Sequence, residues 1–211
     1  MNLLAGFLAI IINDPFLSPL IILAGAFFDM LDGFAARKLN ASSDFGAELD
    51  SLADLVSFGV APAYLYFHHV LSGSNSIISA LSVSFIVVFA ALRLAKFNID
   101  SEQKTSFTGL PSPASGIFFA MLVYESHAQR LINFDQHQYI WLILPVIAGL
   151  MMVSPIKFFA LKSSDSKYSR QITLLLFIIF FISGIVWVFT ALPLIPLAFI
   201  IYIFISLIYY L

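Results

Sequence analysis

Six of the twelve acidic residues in this chain, Asp29, Asp32, Asp44, Glu48, Asp50 and Asp54, fall in one short stretch. Asp29 and Asp32 are three residues apart and Asp50 and Asp54 four, spacings that put each pair on one face of a helix. With a turn near Ala41–Ser42 the two helices run antiparallel, so Asp29 stands level with Asp54 and Asp32 with Asp50. Four carboxylates then meet at two levels. Two carboxylates about 5 Å apart repel by roughly 3 kcal/mol at an effective dielectric of about 20. An acid near a bilayer centre costs roughly 2.5–3.5 kcal/mol more. The adjacent cations Arg37 and Lys38 cannot neutralise four acids while also facing solvent. Bound divalent cations would, and an all-oxygen donor set suits Mg2+, Mn2+ or Ca2+ rather than softer metals. The same residues also suit a proton or cation relay in a transporter, or carboxylates kept protonated as packing hydrogen bonds.

Small residues surround the acids. Gly33, Ala35 and Ala36 follow Asp32, and Gly46 and Ala47 precede Asp50, so a ligand or another backbone can approach closely. Together with Arg37 this combination fits a phosphate ligand, whose oxygens are bridged by metal and whose remaining charge is bound by a guanidinium. The four His residues are too scattered to suggest a catalytic or metal role, and with no Cys there is neither a thiol nucleophile nor a disulfide framework.

The elements that must carry these residues are membrane helices. Of 211 residues 61% are apolar and 10% charged, against about a quarter charged in soluble domains. Ser76–Phe97 and Gln171–Thr190 match the ~20 residues needed to cross a hydrocarbon core ~30 Å thick. Breaks at polar, Gly and Pro clusters divide the chain into apolar segments 2–13, 16–38, 46–71, 76–97, 112–131, 138–160, 170–190 and 193–211. The expected fold is all-α: a polytopic integral-membrane helical bundle of about eight transmembrane segments, in one domain with short connections. The first segment would reach only about 18 Å. It is either a half-helix completed by its neighbours or the remainder of a helix that starts upstream of Met1, and we favour the second. Pro15 and Pro113 are expected in first turns, and Pro62, Pro145 and Pro155 inside apolar segments, where they would kink them.

Arg37, Lys38, Arg93, Lys96, Lys104, Lys157, Lys162, Lys167 and Arg170 fall on one side of this arrangement and only Arg130 on the other, which places the three loops they flank, and both termini, in the cytoplasm. Arg93 and Lys96 stand at the cytoplasmic end of the fourth segment. Arg93 is read either as an ordinary positive-inside anchor or as an anion binder, for a lipid phosphate or a carboxylate, and Asn98 as either a ligand-binding residue or a helix cap. No acid or base occurs from Gln171 onward, so the last two segments are read as scaffold or dimer surface.

The run DMLDGFAARKLNASSDFGAELDSLAD, Asp29 to Asp54, matches in full the pattern D-x2-D-G-x2-A-R-x8-G-x3-D-x3-D and so resembles the CDP-alcohol phosphotransferase family. FGAELDSLADLVSFGVAPA at Phe45–Ala63, ALRLAKFN at Ala91–Asn98 and FTGLPSPASG at Phe107–Gly116 are similar to its CDP-diacylglycerol–serine phosphatidyltransferase branch. The resemblance implies a six-helix catalytic core, here residues 1–162, with 163–211 as two further helices of the same membrane domain. It implies a homodimer that binds CDP-diacylglycerol at the cytoplasmic face of a bacterial or archaeal membrane. It also implies two divalent cations, Mg2+ or Mn2+. Carried over by position, Asp29, Asp32 and Asp50 would be metal ligands and Asp54 both ligand and general base. Gly33, Ala36 and Gly46 would line the nucleotide pocket, with Arg37 close to the diphosphate. The implied reaction is attack by the hydroxyl of L-serine on the phosphorus bonded to diacylglycerol, giving phosphatidylserine and CMP. A related enzyme acting on glycerol 3-phosphate, an inositol phosphate or another alcohol is the nearest alternative. A cation-coupled transporter is a more distant one, and a catalytically dead scaffold a third.

Overall fold

The chain's first corner shows how local chemistry sets its path. Helix α1, Asn2–Ile12, ends at Asn13, whose left-handed backbone (φ 45°, ψ 39°) is one that Asn tolerates better than most residues. Asp14 then accepts hydrogen bonds from the backbone N–H groups of Phe16 (2.9 Å) and Leu17 (2.6 Å) and starts helix α2, Leu17–Lys38. These two bonds, Leu17's the stronger, hold the Asp14 carboxyl below the usual carboxylate range. Pro15 lies in the turn before α2 rather than in its first helical turn.

This computed structural model describes residues 1–38, 43–71, 76–99, 108–128, 138–156, 198–203 and 205, and the regular structure among them is helical. Helix α3, Asp44–Asp54, is capped by Ser43, whose Oγ accepts from the Gly46 N–H at 3.1 Å. The expected single segment 46–71 is here divided: α3 runs into a widened π-helical turn, Leu55–Val60, and then into α4, Ala61–His69. Pro62 has no N–H to donate to the carbonyl four residues back and its ring crowds that carbonyl. The wider turn before it, closed by Ala61 N–H to Val56 C=O, accommodates the proline without ending the chain's helical course. Helices α5, Ser76–Ile99, α6, Ser112–Ala128, and α7, Gln138–Val153, complete the described core.

The π turn is a meeting point of the fold, against which α1, α2, α5 and α6 all lie. Two glycines make the approach possible. A Cβ on Gly6 would sit 2.6 Å from Ser57 Cα, and one on Gly116 would sit 2.7 Å from Phe58 Cα. Phe58, Leu65, Tyr66, Ile86 and Phe119 form the buried centre. The Tyr66 hydroxyl donates to the Trp141 carbonyl at 3.1 Å, joining α4 to α7. Gly109 takes a positive φ of 83° that places its N–H on the Ile156 carbonyl (2.8 Å) and Leu110's on Met151's (3.0 Å), which fixes the start of α6 against the end of α7.

Pro113 is the second residue of α6, as expected, and α7 continues through Pro145. Pro155 is not inside a helix: α7 ends at Val153 and the proline occupies the bend that follows. Among the described residues Ile77–Ile99 is long and apolar enough to cross a membrane, while α1 and α7 are apolar but shorter. Ile77, Leu81, Val88 and Leu92 of α5 and Ile143, Ile147 and Leu150 of α7 are exposed at near-helical intervals. Such a surface suits hydrocarbon and not water. The expected segment 170–190 lies outside the described residues, and of 193–211 only 198–203 and 205 are described.

Candidate active site

Helix α2 carries Asp29 and Asp32, and α3 carries Asp50 and Asp54; the residues of the expected turn between them lie outside those described. One carboxylate oxygen from each of Asp29, Asp32 and Asp50 lies within 4.8 Å of the other two. Asp54 joins them through Asn2 of α1, whose Nδ2 donates to Asp54 Oδ1 at 2.8 Å and to Asp29 Oδ1 at 3.2 Å. Asp29 and Asp54 are half-buried, whereas Asp32 and Asp50 are exposed, so the group runs from an interior end to an open rim. Carboxylates packed this closely repel strongly unless a positive charge lies among them. The convergent donors are all hard oxygens, and they fit Mg2+, Mn2+ or Ca2+.

A guanidinium comes from another helix. Arg93 of α5 is 8% exposed, donates from Nη1 to Ser112 Oγ at 3.0 Å, and is near enough to Asp54 for their charges to interact. The Gly109–Pro111 stretch positions Ser112 at the start of α6, so the second and third similar stretches of the sequence meet at this contact. At the open rim Asn98 links two helices. Its Nδ2 donates to Glu48 Oε2 at 3.2 Å, and its Oδ1 accepts from Ser51 Oγ at 3.1 Å, tying α5 to α3.

Other expected site residues stand at varying distances from this centre. Gly33 follows Asp32 on α2 and is half-buried. Gly46 is exposed in the first turn of α3, with Ser43 Oγ 3.1 Å from where a Cβ would be. Ala36 and Arg37 belong to the last turns of α2, and their side chains lie outside the described residues, as does Lys104. Two residues were not anticipated: Asn2, which bridges two acids, and Ser57, whose hydroxyl donates to the Asn2 carbonyl at 2.9 Å. The available signal was a lone polar residue opening an apolar helix, with Gly6 one turn behind it.

With this geometry in view, comparison with known proteins gives a concordant result. A sequence model of CDP-alcohol phosphatidyltransferases matches residues 1–151, from α1 almost to the end of α7. The chain belongs to the CDP-alcohol phosphatidyltransferase family. It is 38% identical over 180 residues to the CDP-diacylglycerol–serine O-phosphatidyltransferase of Methanocaldococcus jannaschii, covering 84% of this chain and 75% of that one. It is 42% identical over 128 residues to the Bacillus subtilis protein of the same name, covering 58% of this chain and 71% of that one. It is also 36% identical over 122 residues, 56% of this chain and 52% of the relative, to the archaetidylserine synthase of Methanothermobacter thermautotrophicus.

Proposed function

We propose that this protein is a CDP-diacylglycerol–serine O-phosphatidyltransferase, transferring the phosphatidyl group to the L-serine hydroxyl with release of CMP. The observation that carries this reading is the convergence of Asp29, Asp32, Asp50 and Asp54 in a chain whose similar relatives are named for serine transfer.

In this reading Asp29, Asp32 and Asp50, with Asp54, hold two divalent cations, Mg2+ or Mn2+, which when bound polarise the diphosphate and neutralise developing charge. The protein's own residues supply the rest. Asp54 takes the proton from the serine hydroxyl as its oxygen bonds to the phosphorus that carries diacylglycerol; the bond from that phosphorus to the CMP oxygen breaks, and CMP leaves. Asp54 suits this role because it is linked to the group of three through Asn2 without being one of them. Arg93, buried and within range of the Asp54 charge, binds an anionic group of one substrate. Gly33, Ala36 and Gly46 leave room for the nucleotide, and Arg37 stays close to the diphosphate.

Residues 1–162 form the catalytic core of a membrane bundle and 163–211 two further helices of the same domain, in a homodimer whose sites face the cytoplasm. The exposed apolar faces of α5 and α7 and the one-sided distribution of basic residues support this placement. Membranes containing the protein are expected to convert labelled serine and CDP-diacylglycerol to labelled phosphatidylserine only with Mg2+ or Mn2+, and to stop when the cation is chelated. Metal-dependent product with glycerol 3-phosphate or an inositol phosphate, and none with serine, would overturn the serine assignment.

A further inference from the structure

We infer that Asn2 is a positioning residue of the acidic site: a single buried carboxamide on α1 fixes the Asp29 and Asp54 carboxylates relative to each other. This rests on the reading of the four acids as a cation site. Asn2 is 2% exposed and spends its two amide N–H groups on acids that lie on different helices. Ionised carboxylates only accept, so the NH2 end of the amide must face them. The Oδ1 atom is then left on the opposite side. There it is buried with no hydrogen-bond partner among the described residues, 3.4 Å from where a Cβ on Gly25 would stand. Burying an amide oxygen without a partner is unfavourable. The side chain is held in that orientation by what its nitrogen does for the acids.

The surroundings hold the amide where it is. Ser57, in the π turn that begins directly after Asp54, grips the Asn2 backbone carbonyl at 2.9 Å. Gly6 allows α1 to lie against that turn. Gly25, one helical turn before Asp29, allows α2 to approach α1, since a Cβ there would come within 2.9 Å of Ala5 Cβ. Three elements therefore pack closely around one neutral donor. Its neutrality matters chemically. An ammonium or guanidinium at this position would neutralise the acids and compete with a cation, whereas a carboxamide orients them and leaves their charge available.

The test uses the full chain purified in detergent, with Mn2+ binding followed by the loss of the free-ion paramagnetic resonance signal and with serine-dependent CMP release measured alongside. Asn2→Leu keeps the size of the side chain and the Ser57 bond to the backbone. It is expected to weaken Mn2+ binding about 10- to 100-fold and to lower kcat at saturating Mn2+ while the KM for serine changes little. Ser57→Ala, which loosens the amide without removing it, is expected to weaken Mn2+ binding by a smaller factor and decides the matter if Asn2→Leu fails to fold. Ser82→Ala serves as the packing control. It removes another buried serine's bond to a carbonyl, that of Leu142, away from the acids, and should leave Mn2+ binding unchanged. Wild-type Mn2+ affinity in Asn2→Leu, or in Ser57→Ala should the first not fold, would overturn the inference, as would equal weakening in Ser82→Ala. A wild-type protein that binds no Mn2+ would overturn the cation-site reading itself.

Discussion

Asn2 and Asn13 stand at opposite ends of α1, and each reaches a distant part of the chain, yet the two ends of the helix are built for different purposes. At the Asn13 end the acid is satisfied locally: Asp14 accepts two backbone N–H bonds from the next turn, while Asn13 Oδ1 meets His69 Nε2, 56 residues away, at 3.0 Å. At the Asn2 end the acids face one another, and Asp29 and Asp54 accept from an amide 27 and 52 residues away in sequence. A carboxylate that accepts from its own helix start is a cap, with its oxygens already paired to backbone N–H groups. Carboxylates that share one neutral donor keep acceptor capacity for a further partner. Acid content alone therefore does not mark a site; the source of each acid's partners does.

The contrast can be broken in three places. The largest effect is expected for Asp54→Asn, which keeps the shape of the side chain and removes the proton acceptor. Serine-dependent CMP release should fall about 100- to 10,000-fold, with the protein still folded by circular dichroism in detergent. CMP release at the wild-type rate would return Asp54 to the class of merely structural acids. Next comes Arg93→Leu, which removes charge-assisted hydrogen bonds to an anionic group and should raise one KM by about 10- to 100-fold. Measuring KM for serine and for CDP-diacylglycerol separately sharpens the comparison, because only the substrate whose carboxylate or phosphate Arg93 binds should respond.

The smallest effect belongs to the other end of α1. Asp14→Asn should leave Mn2+-dependent activity unchanged and lower the unfolding temperature only modestly. Because the folded Asp14 carboxyl lies below its ordinary value of 3.8, its contribution is fully present above that pH and fades as the pH falls through the lower folded value. Thermal unfolding followed from neutral pH down to about pH 3 should show that fade in the wild type and not in Asp14→Asn. An activity loss in this variant comparable to that of Asp54→Asn would erase the distinction between the two ends.

Much of this arrangement was legible in the residues. The i,i+3 and i,i+4 spacings of Asp29, Asp32, Asp50 and Asp54 determine which helix faces the acids occupy, because helical geometry repeats whatever surrounds it. The apolar segments forecast α1, α2, α5 and α6 to within a few residues at their N-terminal ends, since burial or lipid contact must be matched by composition. Two features were not legible. The segment 46–71 carries no periodic mark of its break into α3, the π turn and α4; that break reflects how Pro62 is fitted while α1 and α6 press on the same turn. Nor does Asn2 announce itself, because its partners lie on other helices and no local pattern links a residue to contacts so far away.

By itself, then, the sequence determined that the chain is helical and apolar, that two acid pairs share helix faces, and that the Asp29–Asp54 run carries a family's pattern. All of these follow from composition and from spacings within one helix. Only the tertiary structure decided that Asn2 bridges Asp29 and Asp54, that Ser57 holds Asn2, and that Arg93 of α5 is buried against Ser112 of α6. These contacts depend on how closely separate helices approach. That approach is governed by the absence of side chains at Gly6 and Gly25 and by the widened turn after Asp54, whose effects appear only once the helices are packed together.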